Sequence, residues 1–459
     1  MEAQVIRQEK ANSLLRTMFM FLIPLILSNA LQSIGQLVGS VVVGRYYGVD
    51  ALAAISSFFP LFFLLVSFTI GIGSGSAILI GQAYGARNEE RLKAVVGTTL
   101  TFTFILGIVL SLLGGIFTWD IMRWLGTPAN IIEVSVRYAR ILFWSLPFLF
   151  LYFAYTTFMR GTGDSKTPFY SLIVSTALNL ILLPVLIFGW LGLPAFGLYG
   201  AAYASVISTI VTFILLLFYL QKKKHTLRFD AATAHHLKMD FAILKLLLRL
   251  GIPSSVNMIL VSLSEIAVIA FVNHYGSNAT AAYGAVNQVA SYVSMPAISI
   301  GITVSIFAAQ AIGANQLERL DKVLRTGLLL NYLVGGILIL LVYLFSENIL
   351  SWFLTSQETI QIAHSLLMIT LWSYLIYGHA MIVTSIMRAS GTVLMPTIFS
   401  VISIWCIEVP AAYVFSNYSR LGIKGIWNAY PIAFLVSLAL QYAYYRWAWK
   451  KKQITRIIH

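Results

Sequence analysis

Charge is scarce in this chain. Only 10% of its 459 residues are Asp, Glu, Lys or Arg, while 59% are hydrophobic, and a soluble domain of that size could not cover so much apolar surface with polar groups. The composition requires lipid. Cysteine is scarcer still: Cys406 stands alone, which excludes an intramolecular disulfide and an all-cysteine metal cluster. Acidic residues number 16 against 30 basic ones, a net charge of +14. That excess would suggest nucleic acid in a soluble protein, but here the basic residues form short runs between apolar segments, where lipid headgroups are the expected partner and nucleic acid is not. A small-residue cleavage site after the first apolar run is also missing, so no removable signal peptide is expected. No nucleophile–base set, zinc spacing or nucleotide-binding motif is found. The Gly71-Ile-Gly73-Ser-Gly75 run lies within an apolar segment and reads as close helix packing rather than a phosphate loop. Direct use of ATP is not expected, nor is any organic cofactor.

What the chain has instead is apolar runs. A membrane-crossing helix needs about 20 mostly apolar residues, and about twelve such runs are present, near 17–44, 52–83, 94–117, 133–158, 167–189, 196–220, 246–273, 281–311, 324–345, 361–386, 394–415 and 423–447. Assigning the loops to alternate sides places 24 of the 30 Lys and Arg residues on one side. Arg45, Arg123, Arg137, Arg140, Arg420 and Lys424 remain on the other. Positive residues favour the cytoplasm, so both termini are expected there, in a multi-pass protein of the cell membrane.

An internal repeat organises the runs. Gly81-Gln-Ala-Tyr-Gly-Ala-Arg-Asn-Glu-Glu-Arg-Leu92 returns as Ala309-Gln-Ala-Ile-Gly-Ala-Asn-Gln-Leu-Glu-Arg-Leu320, 228 positions later. The same offset carries Tyr47-Gly48 to Tyr275-Gly276, Gly73 to Gly301, Trp144-Ser145 to Trp372-Ser373, Met159-Arg160 to Met387-Arg388, Gly163 to Gly391 and Pro168 to Pro396. Identities in register across six helices mean a duplicated six-helix unit: an N-terminal bundle over 1–220, a basic connector over 221–245 and a C-terminal bundle over 246–459. An even helix count gives parallel repeats about an axis along the membrane normal, with substrate expected between the halves. In the connector, Phe241, Leu244, Leu247 and Leu248 are spaced for an amphipathic helix lying at the cytoplasmic surface.

These residues resemble one family. The stretch from Ile23-Pro24 through Val41-Val-Val-Gly-Arg45 to Ala51-Leu-Ala-Ala54 is similar to the opening of a multidrug and toxic compound extrusion (MATE) transporter. Gly251-Ile-Pro253, Asn287-Gln-Val289, Pro296, Ser299-Ile-Gly301 and Val304-Ser-Ile306 resemble helices seven and eight of its bacterial drug-exporting branch, and the Met159-Arg-Gly-Thr-Gly-Asp164 and Met387-Arg-Ala-Ser-Gly391 turns also fit. The resemblance implies an all-α, twelve-helix, V-shaped membrane protein that exports small organic compounds, often cationic or amphipathic, in exchange for Na+ or H+. The chain departs from that pattern in its first half. Many members carry an aspartate where Gly39 stands and some an Asp-Pro pair where this chain has Leu183-Pro184.

Among the 16 acidic residues only Glu265 and Glu408 fall well inside apolar segments. A charged carboxylate at mid-bilayer costs at least ~2.5–3.5 kcal/mol, so each is a functional candidate. At 1.5 Å per residue Glu265 lies ~21 Å along its helix from Gly251 and Glu408 ~18 Å beyond Pro396, at similar depth. Glu265 also matches a helix-seven glutamate that the family uses for cation binding, which makes it a candidate Na+ ligand. His379 and Tyr377 fall near the family's second acidic position on helix ten. Asn257, Asn287 and Gln288, with Gln36 and Asn179 in the first half, are neutral amides able to offer carbonyl oxygens to a cation or hydrogen bonds to a substrate. Phe58, Phe59, Phe62, Phe63, Trp144, Phe148, Phe150, Tyr152, Phe153 and Tyr155 are aromatics that could line a cavity for flat cations. A lipid-linked precursor flippase would call for basic residues mid-membrane, which are nearly absent. A membrane-embedded enzyme would call for a His with an acidic or metal partner, which His274 and His379 lack in the sequence. A monomer that handles small molecules is expected.

Overall fold

The computed structural model describes residues 2–192, 194–418 and 421–458, without the side chains of residues 2–12, 36, 37, 49 and 191. Arg420, counted above among the basic loop residues, lies outside them. With no water to satisfy backbone groups in lipid, each apolar run closes its hydrogen bonds internally as a helix. The spanning helices are α1 (Ser13–Gly48), α2 (Asp50–Gly85), α3 (Glu89–Ile116), α4 (Ile132–Gly161), α5 (Lys166–Phe188), α6 (Tyr199–Lys222), α7 (Phe241–Asn273), α8 (Ser277–Gly313), α9 (Glu318–Leu344), α11 (Leu394–Tyr418) and α12 (Ile423–Lys451). Between α9 and α11, α10 is a broken span, Gln357–Thr370 and Ser373–Ala389, bent by 42°. No strand occurs among the described residues.

Helix ends follow local chemistry. Gly48, at φ 77°, separates α1 from α2. Asn88 caps α3 by accepting from the Arg91 amide at 3.0 Å, with Glu89 and Glu90 in the first turn facing the positive end of the helix dipole. The duplication reaches the backbone: left-handed residues recur at the same 228-residue spacing, Gly48 with Gly276, Arg87 with Asn315 and Gly163 with Gly391.

Packing divides the chain into two compact units, Leu27–Ile252 and Met1–Ile26 with Pro253–His459. The duplication alone places the boundaries at 220 and 246, whereas packing places the start of α1 with the second half and the connector with the first.

In the unit Leu27–Ile252, Phe58, Phe143 and Phe150 form a core, the first two in edge contact at 5.2 Å. The connector lies strapped onto α3. Lys93 Nζ meets Asp230 Oδ2 at 2.6 Å, Thr101 Oγ1 donates to the Leu237 carbonyl at 2.7 Å, and the Asp240 amide donates to Thr98 Oγ1 at 3.3 Å. Gly97 lies directly under the His236 carbonyl, with no room for a Cβ. Asp230 caps the short helix Ala231–His235 through the Thr233 amide, and its hydrogen bond from Lys93 holds its carboxyl well below the usual carboxylate range. The separate surface helix expected around Phe241–Leu248 is not formed. Asp240 accepts from the Ala242 and Ile243 amides, a cap that starts α7 at Phe241, so these residues are its first turns. Ile243, Leu247 and Leu250 are buried there, while Phe241 is exposed. Gly75 approaches the Leu247 carbonyl, and Gly251 approaches Ile72 and Gly71, so the glycine run of α2 serves close helix packing.

The other unit packs around Val268, Tyr283, Val286, Leu366, Leu367 and Trp427. Phe21 and Leu25 of α1 join Ile306, with Phe21 in edge contact with Phe307 at 5.6 Å. Two π-helical turns widen helices of this unit, Asn331–Gly335 in α9 and Ile402–Glu408 in α11. Such turns are rare and concentrate at functional sites.

Candidate functional site: a carboxylate pair among tyrosines

Helices α7 and α11 run alongside each other. Trp405 Nε1 donates to the Leu260 carbonyl at 3.2 Å, the Phe271 and Tyr413 rings are 5.7 Å apart, and Tyr275 Oη donates to the Ser416 carbonyl at 2.9 Å. This register sets Glu265 of α7 level with Glu408 of α11, and the two carboxylates lie within electrostatic reach of one another. Glu408 closes the π-helical turn and is only 5% exposed, while Glu265 is exposed. Pro410 follows two residues later and has no amide hydrogen, leaving a carbonyl of that turn without its helical donor.

Tyrosines surround the pair. Tyr283 Oη and Tyr430 Oη are 3.2 Å apart, and Asn287 is within hydrogen-bonding reach of Tyr283. Tyr374 is within electrostatic reach of both carboxylates and Tyr377 of Glu265. Phe434 braces this group, its ring 5.4 Å from Tyr374, 5.2 Å from Tyr377 and 6.3 Å from Tyr430. Among the described residues, none of the ion pairs involves Glu265 or Glu408, and no group of three or more His, Cys, Asp or Glu could hold a metal ion. The donor set is two carboxylates with neutral hydroxyls and an amide, all oxygen donors of the kind that suit hard cations rather than soft transition metals.

The other sequence candidates lie apart. His379 turns to α9, its Nδ1 2.8 Å from Tyr332 Oη, its ring in edge contact with Tyr442, and its Nε2 buried without a partner. Asn257 sits on α7 with a buried, unpartnered Oδ1, ~12 Å along the helix from Glu265. Gln288 is exposed and bonds locally to Tyr292 at 3.2 Å. Asn179 belongs to the other unit, where its amide donates to Ser205 at 3.3 Å. The Gln36 side chain lies outside the described residues. Of the aromatic candidates, Phe58, Phe150, Tyr152 and Tyr155 are buried in the core, whereas Phe59, Phe63, Trp144 and Phe148 are exposed. Phe148 borders a cleft with Ser145, Ser205 and Thr209 of about 20 Å³, room for one water and not for an organic substrate.

Tyr283, Tyr374 and Tyr430 were not among the sequence candidates. A signal for them was present. Counting back 228 positions, Glu265, Tyr283, Tyr374, Tyr377, Glu408 and Tyr430 correspond to Leu37, Ile55, Leu146, Leu149, Leu180 and Ala202. The whole polar set is apolar in the first repeat.

Comparison with known proteins fits this duplicated architecture, since the MatE family model matches twice, over residues 24–185 and 253–414. The chain belongs to the MatE family. It is 67% identical over 457 residues to the probable multidrug resistance protein YoeA of Bacillus subtilis (strain 168), covering 100% of this chain and 99% of that protein. It is also 26% identical to the FAD transporter of Shewanella oneidensis, over 86% of each chain. The crystal structure of a point mutant of the Vibrio cholerae MATE transporter VcmN superposes with a TM-score of 0.87 at 19% identity, covering 97% of this chain and 99% of that one. This MatE protein thus has the MATE fold and is a multi-pass membrane transporter.

Proposed function

We propose that this protein is a secondary antiporter that exports small organic compounds, cationic or amphipathic, in exchange for Na+ or H+ by alternating access, with both termini in the cytoplasm. The observation that carries this reading is the carboxylate and tyrosine cluster of the second unit, apolar throughout in the first. An antiporter needs a group whose charge or ligation differs between its two access states, and a membrane-embedded carboxylate is such a group. Glu265 is the coupling residue in this reading. The name of YoeA supports multidrug export, and tyrosine faces suit organic cations. The name of the Shewanella relative makes a flavin dinucleotide the chemically opposite alternative.

Proteoliposomes loaded with ethidium or with FAD, and given separate Na+ and H+ gradients, test this directly. Gradient-driven ethidium movement is expected, and Glu265→Gln should reduce it at least tenfold at unchanged protein yield. Undiminished concentrative transport by that variant would remove Glu265 from coupling, and gradient-driven movement of FAD alone would replace the substrate class. For topology, a Lys223→Cys variant in a Cys406→Ser background should resist an impermeant thiol reagent in intact cells, because Cys406 is itself exposed.

A further inference from the structure

Arginine holds the same place in both repeats. Arg160 lies in the last turn of α4 and Arg388 in the last turn of α10, 228 positions apart and each directly after a methionine. Both are half-buried, and the Nε of each is buried with no hydrogen-bond partner. Among the described residues, none of the ion pairs involves either one. Asp164, the acid nearest to Arg160 along the chain, is engaged in capping α5, where it accepts from the Lys166 and Thr167 amides at 3.0 Å. Its counterpart beyond Arg388 is Thr392. A helical side chain leans toward the N-terminus of its helix, so each guanidinium reaches back into its own unit. Arg160 comes within electrostatic reach of Tyr152, whose Oη is 2.9 Å from Ser171 Oγ, and Arg388 within reach of Tyr377. The backbone beside each is held firmly. Gly161 lies against the Ala77 carbonyl and Ile80, while Ser390 accepts from Trp449 Nε1 at 2.9 Å and Gly391 lies against Ile457.

An arginine cannot shed its charge, and a half-buried guanidinium with no carboxylate beside it is costly unless an anion meets it. We propose that Arg160 and Arg388 each bind a phosphate group, one per unit, through the bidentate fork of a planar guanidinium. The last turn of a span lies at the level of lipid headgroups, and basic pockets between helices at that level take lipid phosphates. A free phosphate would meet the same fork. In the first unit the Tyr152 and Ser171 hydroxyls stand by as neutral donors. The two repeats share this arginine although the acids and tyrosines of the second are apolar in the first, so the phosphate sites belong to both units and do not depend on the antiporter reading.

The test uses the full chain, purified in detergent and stripped of lipid. In one arm phosphatidylglycerol is added and bound lipid is counted by native mass spectrometry; in the other, binding of ³²P-labelled inorganic phosphate is measured by equilibrium dialysis. Two equivalents per protein are expected in one arm, and that arm names the source. Arg160→Gln and Arg388→Gln should each remove one equivalent and leave the other at unchanged affinity, and the double variant should remove both. Arg160→Lys and Arg388→Lys should weaken the corresponding site about fivefold, because an ammonium keeps the charge and loses the fork. Gel filtration monitors folding, and where a Gln variant does not fold the matching Lys variant decides, with unchanged affinity overturning the proposal. It is overturned equally if the wild type binds neither probe, or if the double variant binds as the wild type does, since the arginines then serve only the helix ends. A failure of ion-driven efflux in liposomes would leave these counts as they are.

Discussion

At Asn331 a single side chain holds a widened helix turn in place. It is buried, its amide donates to the Leu375 carbonyl at 3.1 Å, and it presses against Gly378, where a Cβ would overlap its Oδ1. Gly378→Ala should therefore expel Asn331, costing about 1–3 kcal/mol from overpacking and a lost buried hydrogen bond. The measurement is the melting temperature in detergent, expected to fall by several degrees. Adding Asn331→Ala should restore part of the loss, because the two residues are in contact and their effects are not additive. The carboxylates were legible in the sequence for an equally local reason: an acid within an apolar run is costly wherever it faces. The tyrosines were not, because Tyr is common in membrane helices and its hydroxyl shows its use only once Tyr283 is seen against Tyr430. His379 illustrates the reverse, since the family resemblance placed it near the second acidic position of helix ten while its ring turns to Tyr332 of α9.

Elements were legible in number and less so in shape. All twelve spans were recoverable from apolar length, yet the bend in α10 and the two π-helical turns have no compositional signature; contacts such as Asn331 to the Leu375 carbonyl join residues 44 apart. The connector shows a second reason. Its 3.6-residue periodicity was real but belonged to the first turns of α7, and the Asp240 cap decided where the helix starts. The same segment offers a pH test. Because the Lys93 hydrogen bond depresses the Asp230 carboxyl below its unfolded value, the bond contributes stability that is fully present above pH ~4. That contribution is lost as pH falls from there toward the folded value. At neutral pH, Asp230→Asn should increase deuterium exchange across residues 228–240, and the difference from wild type should shrink as pH drops below ~4. A mobile connector in the wild type, with no difference at pH 7, would contradict the strap.

For the whole molecule, the duplication could be read from the sequence because identities such as Met159-Arg160 and Met387-Arg388 keep one offset, and the left-handed residues repeat it in three dimensions. The partition of packing could not, since α1 is one continuous apolar run whose early residues pack with partners distant in sequence. That arrangement sets an order of events during synthesis. Ile306 and Phe307, against which Phe21 and Leu25 pack, emerge from the ribosome roughly 285 residues after them. At about 5–20 residues per second, the opening of α1 waits roughly 15–60 s for its binding surface. A nascent chain stalled before residue 300 should therefore leave position 21 open to cross-linking by lipid or by a membrane chaperone, and a chain stalled well beyond residue 340 should protect it. The opening of α1 is thus housed only once α8 has been made, so a fault in the second half would be felt in a helix synthesised long before it.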